Sequence, residues 1–86
     1  MVKVLKFKAG WCGPCTTLAP TINEVVSEIN GIMYQEVDIE QEPMLSIQYK
    51  IKSLPTVIIE KNGQEVSRII GVQSKNLYIA TIKSHL

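Results

Sequence analysis

The sequence predicts an α/β fold: a four-stranded mixed β-sheet flanked by three helices, in the order β-α-β-α-β-β-α. In the first half, a strand pattern, a helical apolar stripe and a second strand follow one another. This succession is typical of a parallel βαβ unit with a right-handed crossover. In the second half, an Asn-Gly pair stands between two β-rich runs, which indicates an antiparallel hairpin. An amphipathic segment then ends the chain.

The first half contains the βαβ unit. Val2–Ala9 is predicted as a central strand because both of its faces carry apolar residues. A turn over Gly10–Cys15 leads into a helix, whose apolar residues recur at helical spacing. Asn30-Gly31 is a suitable end for that helix. The run Ile32–Asp38 then returns as the second strand.

The second half supplies the rest of the sheet. Pro43 is suited to begin a short helix. Thr56–Glu60 and Val66–Ile70 are predicted strands, joined by the tight turn that Asn62-Gly63 favours. Ser74 is suited to cap the last helix. Two methionines outside these motifs are assigned to core packing, Met33 and Met44.

Length and composition fit one domain, which we assign to residues 1–86. Apolar residues make up 45% of the chain and charged residues 20%, close to the averages for globular domains. The net charge of +1 is too balanced for binding nucleic acid or membranes by charge. No apolar run approaches the roughly 20 residues that span a bilayer, and the N-terminus lacks the apolar region of a signal peptide. We expect a cytoplasmic protein, and a monomer.

Cys12 and Cys15 carry the chemistry, within the pentapeptide Trp-Cys-Gly-Pro-Cys between the first strand and the first helix. The sulfur of Cys12 is expected beside unsatisfied N–H groups and the positive end of the helix dipole, which favour a thiolate. Cys15 lies one turn on and is expected to be more buried. This arrangement predicts two-step disulfide exchange, with Cys12 as the nucleophile and Cys15 as the resolving thiol.

Other uses of two cysteines fit less well. A structural zinc site needs four ligands, and the only histidine, His85, lies near the other end of the chain. A purely structural disulfide across so short a loop would constrain little of the unfolded chain. Nucleotide-binding glycine motifs are absent. We therefore predict no metal and no bound cofactor besides a redox-active disulfide between Cys12 and Cys15.

The chain resembles the thioredoxin family over nearly its whole length. The active-site pentapeptide carries the resemblance, together with Pro20, Asp38-Ile39-Glu40, Leu54-Pro55-Thr56, Asn62-Gly63 and Gly71-Val72. The resemblance implies a thioredoxin-like fold and a protein-disulfide reductase that an NADPH-linked thioredoxin reductase recycles. Members of the family usually begin with an additional strand and helix. This chain starts at the strand that leads to the cysteines, so four strands are expected.

The resemblance also implies a substrate site around Cys12. Pro55 is expected in the cis form, with its loop packed against the Cys12 sulfur. A shallow apolar groove is expected to receive extended substrate segments, formed by Trp11, Gly13, Pro14, Leu54, Gly71 and Val72. Leu54 would pair backbone to backbone with the substrate, which is a short β-augmentation.

Two charged positions depart from the family pattern. Six residues before the first cysteine the family usually has a buried aspartate, and this chain has Lys6. On the neighbouring strand, Glu36 stands where the family often has a lysine. We predict a charge-swapped pair below Cys15 that tunes thiol ionisation. Lys6 would stabilise thiolates and raise the reduction potential, or serve as a base; alternatively it reaches solvent and has no such role.

Two alternatives to a thioredoxin role stay open. The length suits a glutaredoxin-like, glutathione-coupled reductase, although Gly-Pro rather than Pro-Tyr separates the cysteines. Gly71-Val72 also replaces the double glycine that such enzymes usually have near glutathione. The second alternative is a binding subunit of a larger enzyme that does not use its thiols.

Overall fold

Seven elements follow one another in the predicted order in a computed structural model that describes all residues, Met1–Leu86. The strands are β1 (Val2–Lys8), β2 (Ile32–Asp38), β3 (Thr56–Lys61) and β4 (Gln64–Ile70). The helices are α1 (Gly13–Glu28), α2 (Pro43–Gln48) and α3 (Lys75–Lys83). None of the three helices combines the length and the apolar character needed to cross a bilayer.

The sheet has four strands in the order β2-β1-β3-β4. β1 pairs with β2 in parallel, and the other two pairings are antiparallel. The predicted fold class is therefore confirmed. In this register Lys6 of β1 lies directly opposite Glu36 of β2. The register brings the two unusual charges to neighbouring positions of the sheet.

Helices cover both faces of the sheet because β1 carries apolar residues on both sides. The larger core joins one face of the sheet to α1 and α3, and its fully buried members include Val4, Leu18, Ile22, Ile59, Tyr78 and Ile82. The smaller core lies on the other face, where Leu5, Phe7, Val37 and Ile58 pack with Leu45 of α2.

Local chemistry fixes the element ends. Asn62 and Gly63 have φ values of 54° and 84°, the left-handed pair that a tight hairpin turn requires. The Oγ of Ser74 accepts a hydrogen bond from the N–H of Leu77 at 3.2 Å and caps α3. Pro20 lies inside α1 on its exposed side.

The prediction that Met33 and Met44 are core residues is wrong. Met33 is 52% exposed and Met44 is 75% exposed. Met33 shares a sheet face with Val37, but α2 packs at the Val37 end of that face and leaves the Met33 end open. Met44 stands on the outer side of α2, whose inner side carries Leu45.

Candidate active site

Cys12 and Cys15 form a disulfide at the start of α1, with their Cα atoms 5.3 Å apart. Cys12 is the N-cap residue of the helix, and its Sγ accepts a hydrogen bond from the N–H of Cys15 at 3.2 Å. A donor in this position stabilises negative charge on sulfur. The geometry therefore suits a thiolate at Cys12 once the disulfide is reduced.

The two cysteines are equally buried, with 5% of Cys12 and 4% of Cys15 exposed. The predicted difference in their exposure is absent in this disulfide form. They differ instead in their surroundings, because Cys12 and Cys15 line two separate cavities.

The cavity beside Cys12 is a groove of about 470 Å³. We call it the active-site groove, and its lining is Trp11, Cys12, Gly13, Pro14, Ile39, Ile51, Lys52, Ser53 and Leu54. Trp11 is 68% exposed and stands at the surface next to the disulfide. The peptide bond between Leu54 and Pro55 is cis, as the resemblance implies.

Three residues predicted at this site stand outside the lining of the groove: Pro55, Gly71 and Val72. The N–H of Gly71 donates to the carbonyl of Pro55 at 2.9 Å. Gly71 thus contacts the backbone of the cis-proline loop. The Tyr78 hydroxyl donates to the carbonyl of Gly71 at 2.9 Å and accepts from the N–H of Gln73 at 3.2 Å.

Sequence reasoning missed four lining residues, Ile39, Ile51, Lys52 and Ser53. Ile39 directly follows β2, and the parallel strands β1 and β2 end at the same edge of the sheet, where ligands of such sheets bind. The other three directly precede Leu54. Their position next to the predicted proline loop could have indicated that they belong to the site. Lys52 is the only charged residue in the lining.

The cavity beside Cys15 has a volume of about 300 Å³ and contains charged side chains, those of Lys6, Lys8 and Glu36. The structure brings Lys6 and Glu36 together, with Nζ of Lys6 3.1 Å from Oε2 of Glu36. Nζ of Lys8 lies 3.3 Å from Oε1 of the same carboxylate. Burial acts to raise the pKa of Glu36, but hydrogen bonds and charge from Lys6 and Lys8 outweigh it and lower that pKa.

This arrangement can exchange electrons by making and breaking the bond between the two sulfurs. A helix N-terminus stabilises one sulfur, an open groove adjoins it, and the second sulfur adjoins a charged cavity. The fold and the site together define a protein of the dithiol–disulfide exchange class, whose redox centre is the Cys12–Cys15 disulfide.

The Thioredoxin family model matches residues 1–84, and the chain belongs to the thioredoxin family. It is 35% identical over 82 residues to the thioredoxin of Chlamydia caviae, covering 95% of this chain and 80% of that protein. The chain is a thiol–disulfide oxidoreductase. Its family implies protein disulfides as substrates and a reductase as partner.

Solved structures agree with this assignment. Fasciola hepatica thioredoxin superposes with a TM-score of 0.91 at 33% identity, over 99% of this chain and 81% of that one. A malaria-parasite thioredoxin-2, described as a component of a protein secretion machinery, superposes with a TM-score of 0.92 at 34% identity. That match covers 99% of this chain and 84% of the parasite chain.

Proposed function

We propose that this chain reduces disulfides of other proteins with Cys12 as the nucleophile and Cys15 as the resolving thiol. The observation that carries the assignment is the hydrogen bond from the N–H of Cys15 to the Sγ of Cys12. Only Cys12 also lines the active-site groove, so a substrate sulfur in the groove would meet that sulfur first.

The exchange balances in two steps. The Cys12 thiolate attacks one sulfur of the target disulfide, forms a mixed disulfide and releases the other target sulfur as a thiolate. Cys15 then loses its proton to solvent or to the released thiolate, attacks Cys12 and expels the second target sulfur. The target gains two electrons, its two thiols take up the proton that Cys15 released and a second proton from solvent, and the Cys12–Cys15 disulfide re-forms.

In this proposal the charges beside Cys15 tune the exchange. Two lysines, Lys6 and Lys8, face one carboxylate, Glu36, so the cluster carries one net positive charge. A positive charge favours a thiolate over a thiol at Cys15. A stabilised Cys15 thiolate is a better leaving group when a reductant attacks the Cys12–Cys15 disulfide. It also stabilises the reduced form of the protein, so the reduction potential rises.

Substrate binding is assigned to the active-site groove. An extended segment would pair with the backbone of Leu54, while Trp11, Gly13 and Pro14 provide the opposite contact surface. Pro55, Gly71 and Val72 are assigned to the same substrate-binding surface, beside Leu54, and the hydrogen bond from the N–H of Gly71 to the carbonyl of Pro55 supports the nearness of Gly71 to the cis-proline loop. The chain acts as one monomeric domain over residues 1–86, in the cytoplasm, and an NADPH-linked thioredoxin reductase returns it to the dithiol form.

Single-cysteine variants test the assignment. A Cys15→Ser variant should accumulate a covalent mixed disulfide with a small disulfide-containing protein such as insulin, because the resolving step is missing. The matched Cys12→Ser variant should trap far less. Equal trapping by both variants, or trapping by Cys12→Ser alone, would contradict the assigned roles.

A second candidate is a binding role that does not use the thiols. The parasite relative described as part of a secretion machinery motivates it. The double variant Cys12→Ser, Cys15→Ser separates the two functions. A thiol-independent role would survive that substitution in a deletion strain, whereas disulfide reduction would be lost.

A further inference from the structure

We propose that a carboxylate-binding subsite adjoins the active-site groove, and that it favours protein disulfides flanked by acidic residues. The subsite is built from Lys50 and Lys52, and Arg68 holds its backbone in place. This inference rests on the proposed function, because it takes the groove as the place where the substrate segment lies.

The subsite is a second cavity of about 290 Å³ next to the groove. It shares Lys52 and Ser53 with the groove, and its remaining lining is Lys50, Thr56, Arg68 and Ile70. No carboxylate lines either cavity. Asp38 at the end of β2 and the two acidic residues after it, Glu40 and Glu42, also stand outside both linings. A substrate segment along these two linings would therefore meet cationic side chains and no carboxylate. Lys50 also lines a separate cavity together with Glu60 and Glu65, which belong to neither of the two linings.

The two lysines are free to bind a partner. Both are exposed, and neither forms an ion pair within the chain, where the paired cations are Lys6, Lys8, Arg68 and Lys75. The Thr56 hydroxyl is already engaged, since it donates to the carbonyl of Ser53 at 2.8 Å. The charge offered to a substrate is that of Lys50 and Lys52.

Arg68 has a positioning role. Its Nε lies 2.8 Å from Oε2 of Glu65, which neutralises its charge. Its Nη2 also donates to the carbonyl of Tyr49 at 2.7 Å, and its Nη1 donates to the carbonyl of Lys50 at 3.4 Å. These bonds tie the backbone that carries the lysines to β4. Lys50 itself has a φ of 55°, a left-handed conformation that fixes the direction of the chain at this point.

The position of the subsite determines where in the substrate segment an acidic residue must lie. An extended segment advances about 3.3 Å per residue, and Lys52 lies two positions from Leu54, where the segment pairs in the proposed function. An aspartate or glutamate within about three residues of the attacked cysteine can reach the lysines. Charges at the rim of an interface mainly change the association rate and its salt dependence.

Three cyclic peptide disulfides test the inference, identical except for aspartate, serine or lysine on both sides of the disulfide. We expect the wild-type kcat/KM for the aspartate peptide to exceed that for the lysine peptide by about threefold to tenfold. The ratio should fall toward one as the ionic strength rises from about 0.01 M to 1 M, because the screening length shortens from about 30 Å to 3 Å.

Charge reversal supplies the matched comparison. The variant Lys50→Glu, Lys52→Glu should invert the ratio and prefer the lysine peptide. The control Lys61→Glu, Lys83→Glu changes the net charge equally at exposed positions outside both cavities, and it should keep the wild-type ratio. Equal wild-type rates on all three peptides, or equal effects of the two variants, would overturn the subsite. Failure to reduce any peptide would instead overturn the proposed function.

Discussion

The Nζ of Lys6 lies 3.1 Å from the Oε2 of Glu36, while the Lys6 side chain is almost completely enclosed, with 1% exposed. An enclosed ammonium group requires a counter-ion, and the parallel register of β1 and β2 supplies one directly opposite. Glu36 also pairs with Lys8, so a single carboxylate serves two cations beside Cys15.

Removing one of those cations should make the protein a stronger reductant. In Lys6→Met the cluster loses its net positive charge, and Cys15 loses support as a thiolate. We expect the reduction potential to become more negative by about 15–30 mV, which corresponds to about a threefold to tenfold change in the equilibrium constant. Equilibration with glutathione buffers, followed by the fluorescence of Trp11, measures it, because Trp11 is the only tryptophan.

A double variant distinguishes charge from packing in this experiment. Lys6→Met with Glu36→Gln leaves Lys8 as the only charge of the cluster and restores one net positive charge. Its potential should therefore return toward the wild-type value. If Lys6→Met and the double variant shift the reduction potential by the same amount, the residues beside Cys15 affect the potential through packing, and the electrostatic account fails.

The three tyrosines should ionise only at a pH well above the ordinary pKa of a tyrosine. Burial and, less strongly, the charge of Glu36 raise the pKa of Tyr34 to about 12. Burial, then the hydrogen bond with Glu60, raises the pKa of Tyr49 to about 12. Burial also raises the pKa of Tyr78, against the opposing hydrogen bond from Gln73.

The sign of the resulting pH dependence follows from linkage. A tyrosine with a raised pKa in the folded state stabilises the fold fully below about pH 10, and that contribution is lost as the pH rises toward about 12. Tyrosinate absorbance and circular dichroism should therefore change together in that range, whereas the urea-unfolded chain should titrate near pH 10. A tyrosine that ionises near pH 10 in the folded protein would contradict this account.

The Tyr78 hydroxyl should contribute to the stability of the fold. Tyr78→Phe leaves the Gly71 carbonyl and the Gln73 N–H without their partner, so we expect the free energy of unfolding to fall by about 1–2 kcal/mol. Tyr34→Phe is the matched control, because the buried Tyr34 hydroxyl has no hydrogen-bond partner. It should be neutral or stabilising, and equal losses in the two variants by urea unfolding would refute the distinction.

The hairpin turn depends on Gly63 through its backbone conformation. A Cβ at Gly63 would meet no atom within 4 Å, but its φ is +84°. We expect Gly63→Ala to lower the free energy of unfolding by about 1–2 kcal/mol. Gly10 also has open space, without a positive φ, so Gly10→Ala should not destabilise. Urea unfolding of the pair checks this, and similar effects at both positions would show that φ is not the cause.

Local rules account for what the sequence predicted well. The bounds of β2 match the prediction, since the Asn-Gly helix stop and the β-rich run that follows it are adjacent in the chain. The Asn62-Gly63 turn and the Ser74 cap depend on a few neighbouring residues and follow the same logic. The cysteine pair was found because its spacing, at the junction between a predicted strand and a predicted helix, places both sulfurs at one helix end.

Features set by contacts between distant segments were not predicted. Lys52 lines the groove because the loop before the cis-proline lies beside the helix N-terminus, and no periodic pattern signals that contact. The exposure of Met33 depends on where α2 ends on the sheet face. The equal burial of Cys12 and Cys15 likewise reflects how the chain closes over the disulfide.

The disulfide separates two compartments, because Cys12 adjoins the groove and Cys15 adjoins the charged cavity. No residue lines both cavities. Substitutions at groove residues outside the active-site pentapeptide, such as Ile39 or Lys52, should change which proteins bind without touching the disulfide, and substitutions around Glu36 should change the reduction potential without touching the groove. For protein engineering, target binding and the reduction potential can be changed at separate sets of residues, one on each side of the disulfide.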